Sequence, residues 1–162
     1  MNEDKSLTAC CFTGHRSIPF EHKQKLRALL SVAVRELYER GCREFLSGGA
    51  LGFDILAAEV VLKLKETCSD ARLIMALPCK EQDKLWNKAD KIRYKTVLAA
   101  ADERVFLCEE YCTGCMHLRN KYLVENSGFC VAYYSHRGGG TEYTVNYARE
   151  RELEIINLAY MM

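Results

Sequence analysis

The chain carries almost no net charge. Its 23 basic residues stand against 22 acidic ones, leaving +1 over 162 residues. That balance excludes a dedicated nucleic-acid coat, which needs a strongly basic surface. No apolar run approaches the roughly 18 residues of a membrane-spanning helix. No secretory signal opens the chain either: it begins Met-Asn-Glu-Asp-Lys, and only a short apolar run follows. Proline is scarce, at two residues, and no linker, repeat or low-complexity segment divides the chain. The low hydrophobicity of a disordered chain is missing too. Apolar residues make up 49% of the sequence, enough for one well-buried core in a single domain over 1–162.

Three familiar fingerprints are also absent. There is no G-x-G-x-x-G, no G-x-x-x-x-G-K-[ST] and no nucleophile elbow. A standard phosphate-loop protein and an obvious serine hydrolase are thereby set aside.

What the sequence has in excess is cysteine, at nine residues. An odd count in a chain large enough to fold without staples argues against a disulfide framework. Cys10, Cys11, Cys42, Cys68, Cys79, Cys108 and Cys130 lie in or beside apolar segments, where free thiols pack as small hydrophobes. A reducing cytoplasm suits them. Cys112 and Cys115 form a C-x-x-C, with Cys108 four residues earlier. Together with His117 they offer zinc ligands, but a structural zinc site pairs two such knuckles and no second one exists. Structural thiols are preferred to zinc or a redox pair, and no metal is assigned.

Short apolar runs alternate with longer amphipathic ones. Strands are expected at 7–12, 44–47, 72–77, 104–107, 129–134 and 154–158. Helices are expected at about 21–40, 51–65, 82–101, 116–126 and from the glycines at 138–140 to about 152. Leu26, Leu29, Leu30, Ala33, Val34 and Leu37 mark the buried face of the first helix, and Leu85, Ala89, Ile92 and Thr96 that of the third. Such alternation predicts an α/β fold with an open, mostly parallel sheet. Lys84, Lys88, Lys91 and Lys95 fall at helical spacing and read as a solvated face.

Ligands of such sheets bind at the carboxyl ends of the strands, and the glycines gather there. Gly14 follows the first strand, Gly48, Gly49 and Gly52 the second, and Gly138, Gly139 and Gly140 the fifth. Loops of this kind running into helix N-termini suit a phosphate. Thr13 and Thr141 add hydroxyls, and Arg16 and Arg119 add guanidinium forks. His15 is either an acid–base group or a structural histidine bonding the next loop. Asp54 is either a helix N-cap or a ribose ligand. Glu142 lies in a first helical turn, where the dipole alone favours a carboxylate. Tyr133, Tyr134 and Tyr143 offer faces for stacking a base.

Four segments together resemble the YpsA-like proteins of the Rossmann-like SLOG superfamily. They are Cys11-Phe12-Thr13-Gly14-His15-Arg16, then Ser47-Gly48-Gly49-Ala50-Leu51-Gly52-Phe53-Asp54, then Gly114-Cys115-Met116 with Arg119-Asn120, and Gly139-Gly140-Thr141-Glu142-Tyr143-Thr144-Val145. Order and spacing match from about residue 7 to 158. The resemblance implies a Rossmann-like sheet of five to six strands with helices on both faces, in a cytoplasmic bacterial or phage protein. It implies that a nucleotide or ADP-ribose-like ligand binds among Thr13, Gly14, His15, Arg16, Ser47, Gly48, Gly49, Asp54, Arg119, Asn120, Gly138, Gly139, Gly140, Thr141 and Glu142. No cofactor is required, and a homodimer is the assembly common among relatives.

Two branches of the superfamily frame the alternatives. Lonely Guy type phosphoribohydrolases cleave the N-glycosidic bond of nucleoside monophosphates. Met116-His117-Leu118-Arg119-Asn120 and Arg137-Gly138-Gly139-Gly140-Thr141 resemble their motifs, but their catalytic glutamate falls on Thr144. Arg119 and Glu142 are therefore catalytic candidates only if the chain is an enzyme. The other branch, DNA-processing protein A, loads recombinase onto single-stranded DNA. The near-neutral charge weighs against that activity and against nucleic acid as a partner.

Overall fold

The computed structural model describes residues 7–162. The polar start of the chain, on which the expectation of no secretory signal rests, lies outside the described residues. Six strands form one sheet: β1 (Ala9–Gly14), β2 (Glu44–Ser47), β3 (Arg72–Leu77), β4 (Glu103–Phe106), β5 (Phe129–Tyr133) and β6 (Glu154–Asn157). Five α-helices are described: α1 (Lys23–Glu39), α2 (Phe53–Lys65), α3 (Lys88–Ala100), α4 (Cys115–Glu125) and α5 (Gly139–Glu150). The strand order is β4-β3-β2-β1-β5-β6, with every pairing parallel. This is the open α/β sheet that the alternation predicts, and all of it is parallel. No helix among the described residues is long and apolar enough to cross a membrane.

Period-2 alternation builds two cores. In β3, Leu73, Met75 and Leu77 enter one core while Ile74 and Ala76 enter the other. In β5, Phe129, Val131 and Tyr133 oppose Cys130 and Ala132 in the same way. Both faces of these strands are buried, so each reads as a continuous apolar run. Helices α1, α2 and α3 cover the first face, and α4 and α5 the second. Buried Leu26, Leu30, Ala33, Val34 and Leu37 form the inner face of α1, with Leu29 half-buried. Helix α2 is buried nearly all round, because it is enclosed by the sheet, α1 and α3.

Two expectations are corrected. β1 lies at 9–14, two residues later than expected, because Thr13 and Gly14 pair with Ala132 and Tyr133 of β5. The third helix starts at Lys88, not near residue 82. The Asn87 side chain accepts the Asp90 N–H at 2.8 Å, a cap that fixes the start. Its inner face is Tyr94 and Val97, whereas Leu85 is 93% and Ile92 56% exposed. The Tyr94 ring meets Trp86 edge-on, with centroids 5.0 Å apart, and this docking sets the face. Lys84 therefore sits in a turn ahead of α3, while Lys88, Lys91 and Lys95 lie on the helix. The other boundaries agree to within two residues.

The sequence changes direction between β1 and β5. Chain building proceeds outward from β1 through β2 to β4, then returns to β5 on the other side. Connections leave these two strands toward opposite faces, which opens a crevice at their carboxyl ends.

Candidate functional site

A cavity of about 530 Å³ occupies that crevice. The carboxyl end of β1 supplies Thr13 and Gly14, and the segment after it His15, Arg16 and Ser17; the β2–α2 connection supplies Ala50, and α2 supplies Asp54. Met116, Arg119 and Asn120 enter from α4. His136, Arg137 and Gly138 come from the β5–α5 loop, and Gly139, Gly140 and Thr141 from the first turn of α5.

Arg119 is only 5% exposed. Its Nε donates to Asn120 Oδ1 at 2.8 Å, its Nη1 to the Gly48 carbonyl at 2.5 Å and to Gln82 Oε1 at 3.4 Å. Its Nη2 meets only the Met116 thioether, at 3.6 Å, among the described residues. It forms no ion pair among the described residues. Burial pulls its pKa down, with Asp54 opposing that shift. Gly48 makes this seat: a Cβ there would lie 2.6 Å from Arg119 Nη1. The arginine is thus a cation held at the cavity wall without a matching carboxylate bond.

Asp54 is the carboxylate on that wall. It is 6% exposed and accepts the Ala50 N–H at 3.4 Å. Of its two expected roles the N-cap is not the one it takes: Gly52 holds that position, and Asp54 is the second residue of α2. Burial pushes its pKa up from 3.8 to about 6, against the pull of Arg119, the Ala50 N–H and Arg16. A carboxyl raised in the folded state binds its proton more tightly there than in the unfolded chain. Its contribution is therefore fully present below about pH 4 and is lost as the pH rises through about 6. Asp54→Asn should raise the stability of the unliganded protein at pH 7 by about 3 kcal/mol, and by nothing below about pH 4. Urea unfolding across pH 4–7 measures this. A variant equally stabilised at every pH would refute the linkage.

His15 takes the loop-bonding role. Its Nε2 accepts the N–H groups of Ser135 at 2.9 Å and His136 at 3.4 Å, so that nitrogen carries no proton. Burial and the neighbouring His136 pull its pKa down. The two imidazoles stack with centroids 3.8 Å apart. His15 thereby fixes the β5–α5 loop over the cavity.

The structure separates the remaining candidates. Thr13, Gly14, Arg16, Asn120, Gly138, Gly139, Gly140 and Thr141 all line the cavity, as do His15, Asp54 and Arg119. Ser47, Gly48, Gly49 and Glu142 do not. Ser47 Oγ is buried, donating to the Asp54 carbonyl at 2.9 Å and accepting the Gly49 N–H at 3.2 Å, so it shapes the connection beneath Arg119. The Glu142 carboxylate turns back to accept the Gly138 N–H. That is the electrostatic role a first-turn carboxylate fills at the positive end of a helix. Thr144, where the resemblance would place a catalytic glutamate, is fully buried with its hydroxyl on the Gly140 carbonyl at 2.8 Å.

Sequence reasoning missed Met116 as a wall residue, Gln82 as a support, and His136 and Arg137. Gln82 Nε2 donates to the Gly48 carbonyl at 3.3 Å, bracing the same atom as Arg119. His136 and Arg137 directly precede the glycine run, and that adjacency was their signal. Gln82 lies in irregular chain between β3 and α3 and left no signal.

Comparison with known proteins agrees with this architecture. The YspA SLOG family matches residues 10–160. A UPF0398 protein of Halalkalibacterium halodurans, BH1768, is 31% identical over 155 residues, covering 91% of this chain and 82% of its own. DNA processing protein A of Streptococcus pneumoniae shares the fold with a TM-score of 0.64 at 15% identity, over 95% of this chain; the chain spans about half, 51%, of that protein. The Helicobacter pylori protein of the same name, described for its single-stranded DNA binding mode, gives a TM-score of 0.65 at 20% identity, over 95% of this chain and 67% of its own.

Proposed function

This chain belongs to the YspA SLOG family, and from that premise we propose that it binds or senses a nucleotide or nucleotide-derived ligand at the carboxyl edge of its sheet. The observation that carries the reading is Arg119, a buried guanidinium on the cavity wall with no ion pair among the described residues. Burying a cation that no carboxylate bonds is costly, and an anionic ligand reduces that cost. Opposite it, α5 begins at Gly139, and first-turn N–H groups have no intrahelical acceptor. A phosphate held between that turn, Thr141, Arg119 and Arg16 satisfies both sides.

The neighbouring space accommodates the rest of a nucleotide. A second cavity of about 360 Å³ is lined by Pro19, Tyr133, Ala159 and Met162 and shares Ser17 and His136 with the first. It suits a flat heterocycle, with the sugar bridging the two and Asp54 in reach of the sugar hydroxyls. No cofactor enters this scheme.

Mass spectrometry of small molecules released by denaturing the purified protein tests the class. A co-purifying nucleotide is the expected result, followed by saturable calorimetric binding of that compound. Failure of every phosphate-bearing ligand in a nucleotide panel to bind would overturn the reading.

A second reading is single-stranded nucleic-acid binding, favoured by the likeness to DNA processing protein A. The charge beside the cavity supports it poorly. Arg27 and Arg93 both reach Glu59, at 3.8 and 2.6 Å, and are not displayed for a phosphate backbone. A gel shift with steep salt dependence would be its signature. Glycosidic hydrolysis has its own readout, the release of free base from nucleoside monophosphates, abolished by Glu142→Ala.

A further inference from the structure

The C-x-x-C segment is not absorbed by the ligand site. Cys112 lies in the loop between β4 and α4, and its thiol donates to the sulfur of Cys108 at 3.5 Å. Cys112 is exposed and Cys108 half-buried, so both are open to small solutes. Among the other cysteines, Cys10, Cys11, Cys42, Cys79, Cys115 and Cys130 are buried. Cys11 and Cys130 face each other across β1 and β5, but they are sealed in the core. One thiol pair is therefore both close and accessible.

We propose that Cys108 and Cys112 are a modification site, a dithiol that hydrogen peroxide converts to a reversible disulfide. The sulfurs need to approach by about 1.5 Å to reach a bond of about 2.05 Å. Their loop is irregular, without helix or strand from residue 107 to 114, and can yield that distance. It is anchored at both ends. The Cys108 N–H donates to the Pro78 carbonyl at 3.0 Å, and the Cys115 N–H to the Cys112 carbonyl at 3.2 Å.

The order of events follows from the hydrogen bond. Cys112 is the donor, and the bond to Cys108 raises its pKa and keeps it a thiol. Cys108 reacts first. Its thiolate attacks one peroxide oxygen, the O–O bond breaks, and the departing hydroxide takes a proton and leaves as water. Cys108 is now a sulfenic acid. The Cys112 sulfur then attacks the Cys108 sulfur as its own proton passes to the departing hydroxide, which leaves as a second water. Two thiols lose two electrons in total, and one peroxide gains them.

The link joins two points of the loop that leads directly into Cys115, Met116 and Arg119 of α4. It therefore stiffens the approach to the cavity wall, and it stands independently of what the cavity binds.

The test uses the full chain, reduced, exposed to hydrogen peroxide, then unfolded in an alkylating agent. Two of the nine thiols should escape alkylation, and cleavage after Glu109 or Glu110 should leave the two pieces joined until dithiothreitol is added. Cys115 should carry the alkyl group. Cys115→Ser should keep the link, and Cys112→Ser should instead accumulate a sulfenic acid on Cys108, trapped by dimedone. Alkylation of all nine thiols after peroxide would overturn the proposal. So would a link between any other pair, or sulfenic acid on Cys112 in the Cys108→Ser variant with none on Cys108 in its counterpart.

Discussion

Arg119→Ala should weaken nucleotide binding more than tenfold while leaving the unliganded protein folded. A charge-assisted hydrogen bond contributes about 1.5–3 kcal/mol, and about 1.4 kcal/mol is a factor of ten in affinity. The Nη2 group, which meets only the Met116 thioether among the described residues, is the part of the guanidinium left for a phosphate, and one such bond suffices for the tenfold loss. The stability of the empty protein moves differently. Removing Arg119 discards hydrogen bonds to Asn120, Gly48 and Gln82. It also removes the desolvation cost of a buried cation that forms no ion pair among the described residues, and that gain offsets the lost hydrogen bonds. Arg119→Met, which preserves volume, should therefore melt near the parent while losing affinity as fully as Arg119→Ala. Arg119→Lys should recover only part, because an ammonium has no planar fork. Calorimetry with the nucleotide found on the purified protein measures all three. Unchanged affinity in Arg119→Met would remove this residue from the proposed site.

Gly52→Ala should be the most destabilising single methyl addition at the site. Gly52 has φ +80° and ψ −117°, a combination open only to glycine. A Cβ there would also lie 2.1 Å from the Arg16 carbonyl oxygen, a backbone atom that cannot swing aside. Overpacking costs about 1–3 kcal/mol, and the backbone conformation adds about 1–3 kcal/mol. A loss of about 3 kcal/mol lowers the melting temperature of a chain this size by roughly 10 °C. Gly41→Ala supplies the comparison. Its φ is also positive, at +112°, but nothing lies within 4 Å of the added carbon, so it should lose much less. Equal melting temperatures for the two variants would show that the contact with Arg16 is not decisive. Since Arg16 lines the cavity, Gly52→Ala should also displace the segment that carries it.

Much of the fold was legible because parallel strands are buried on both faces. Phe45, Leu46 and Ser47 are all buried, and β2 reads correctly to the residue. Helix α1 was legible for the opposite reason, since only one face meets the core and the apolar residues recur at helical spacing. The reading of α3 differs because the apolar residues of this stretch are divided. Tyr94 and Val97 of the helix go inward, while Ile92, and Leu85 in the turn ahead of it, stay in solvent. Periodicity counts all four alike, and only the partner surface chooses between them. The Asn87 cap was a local signal that the longer apolar pattern obscured.

The sequence by itself determined that three glycine loops meet at one edge of a parallel sheet, because strand alternation and right-handed crossovers leave every such loop on the same side. It also supplied most of the cavity wall: Thr13, Arg16, Asp54, Arg119, Asn120 and residues 138–141 were all named from local pattern and resemblance. The tertiary structure alone decided what each side chain does there. Gly48 lies far from Arg119 in sequence, yet its missing side chain makes the guanidinium's seat. His15 spends its ring nitrogen on a loop about 120 residues away, and Glu142 on its own helix N-terminus. Such roles depend on which hydrogen-bond partners and how much water each group meets after folding, and neither is written in the spacing of residues along the chain.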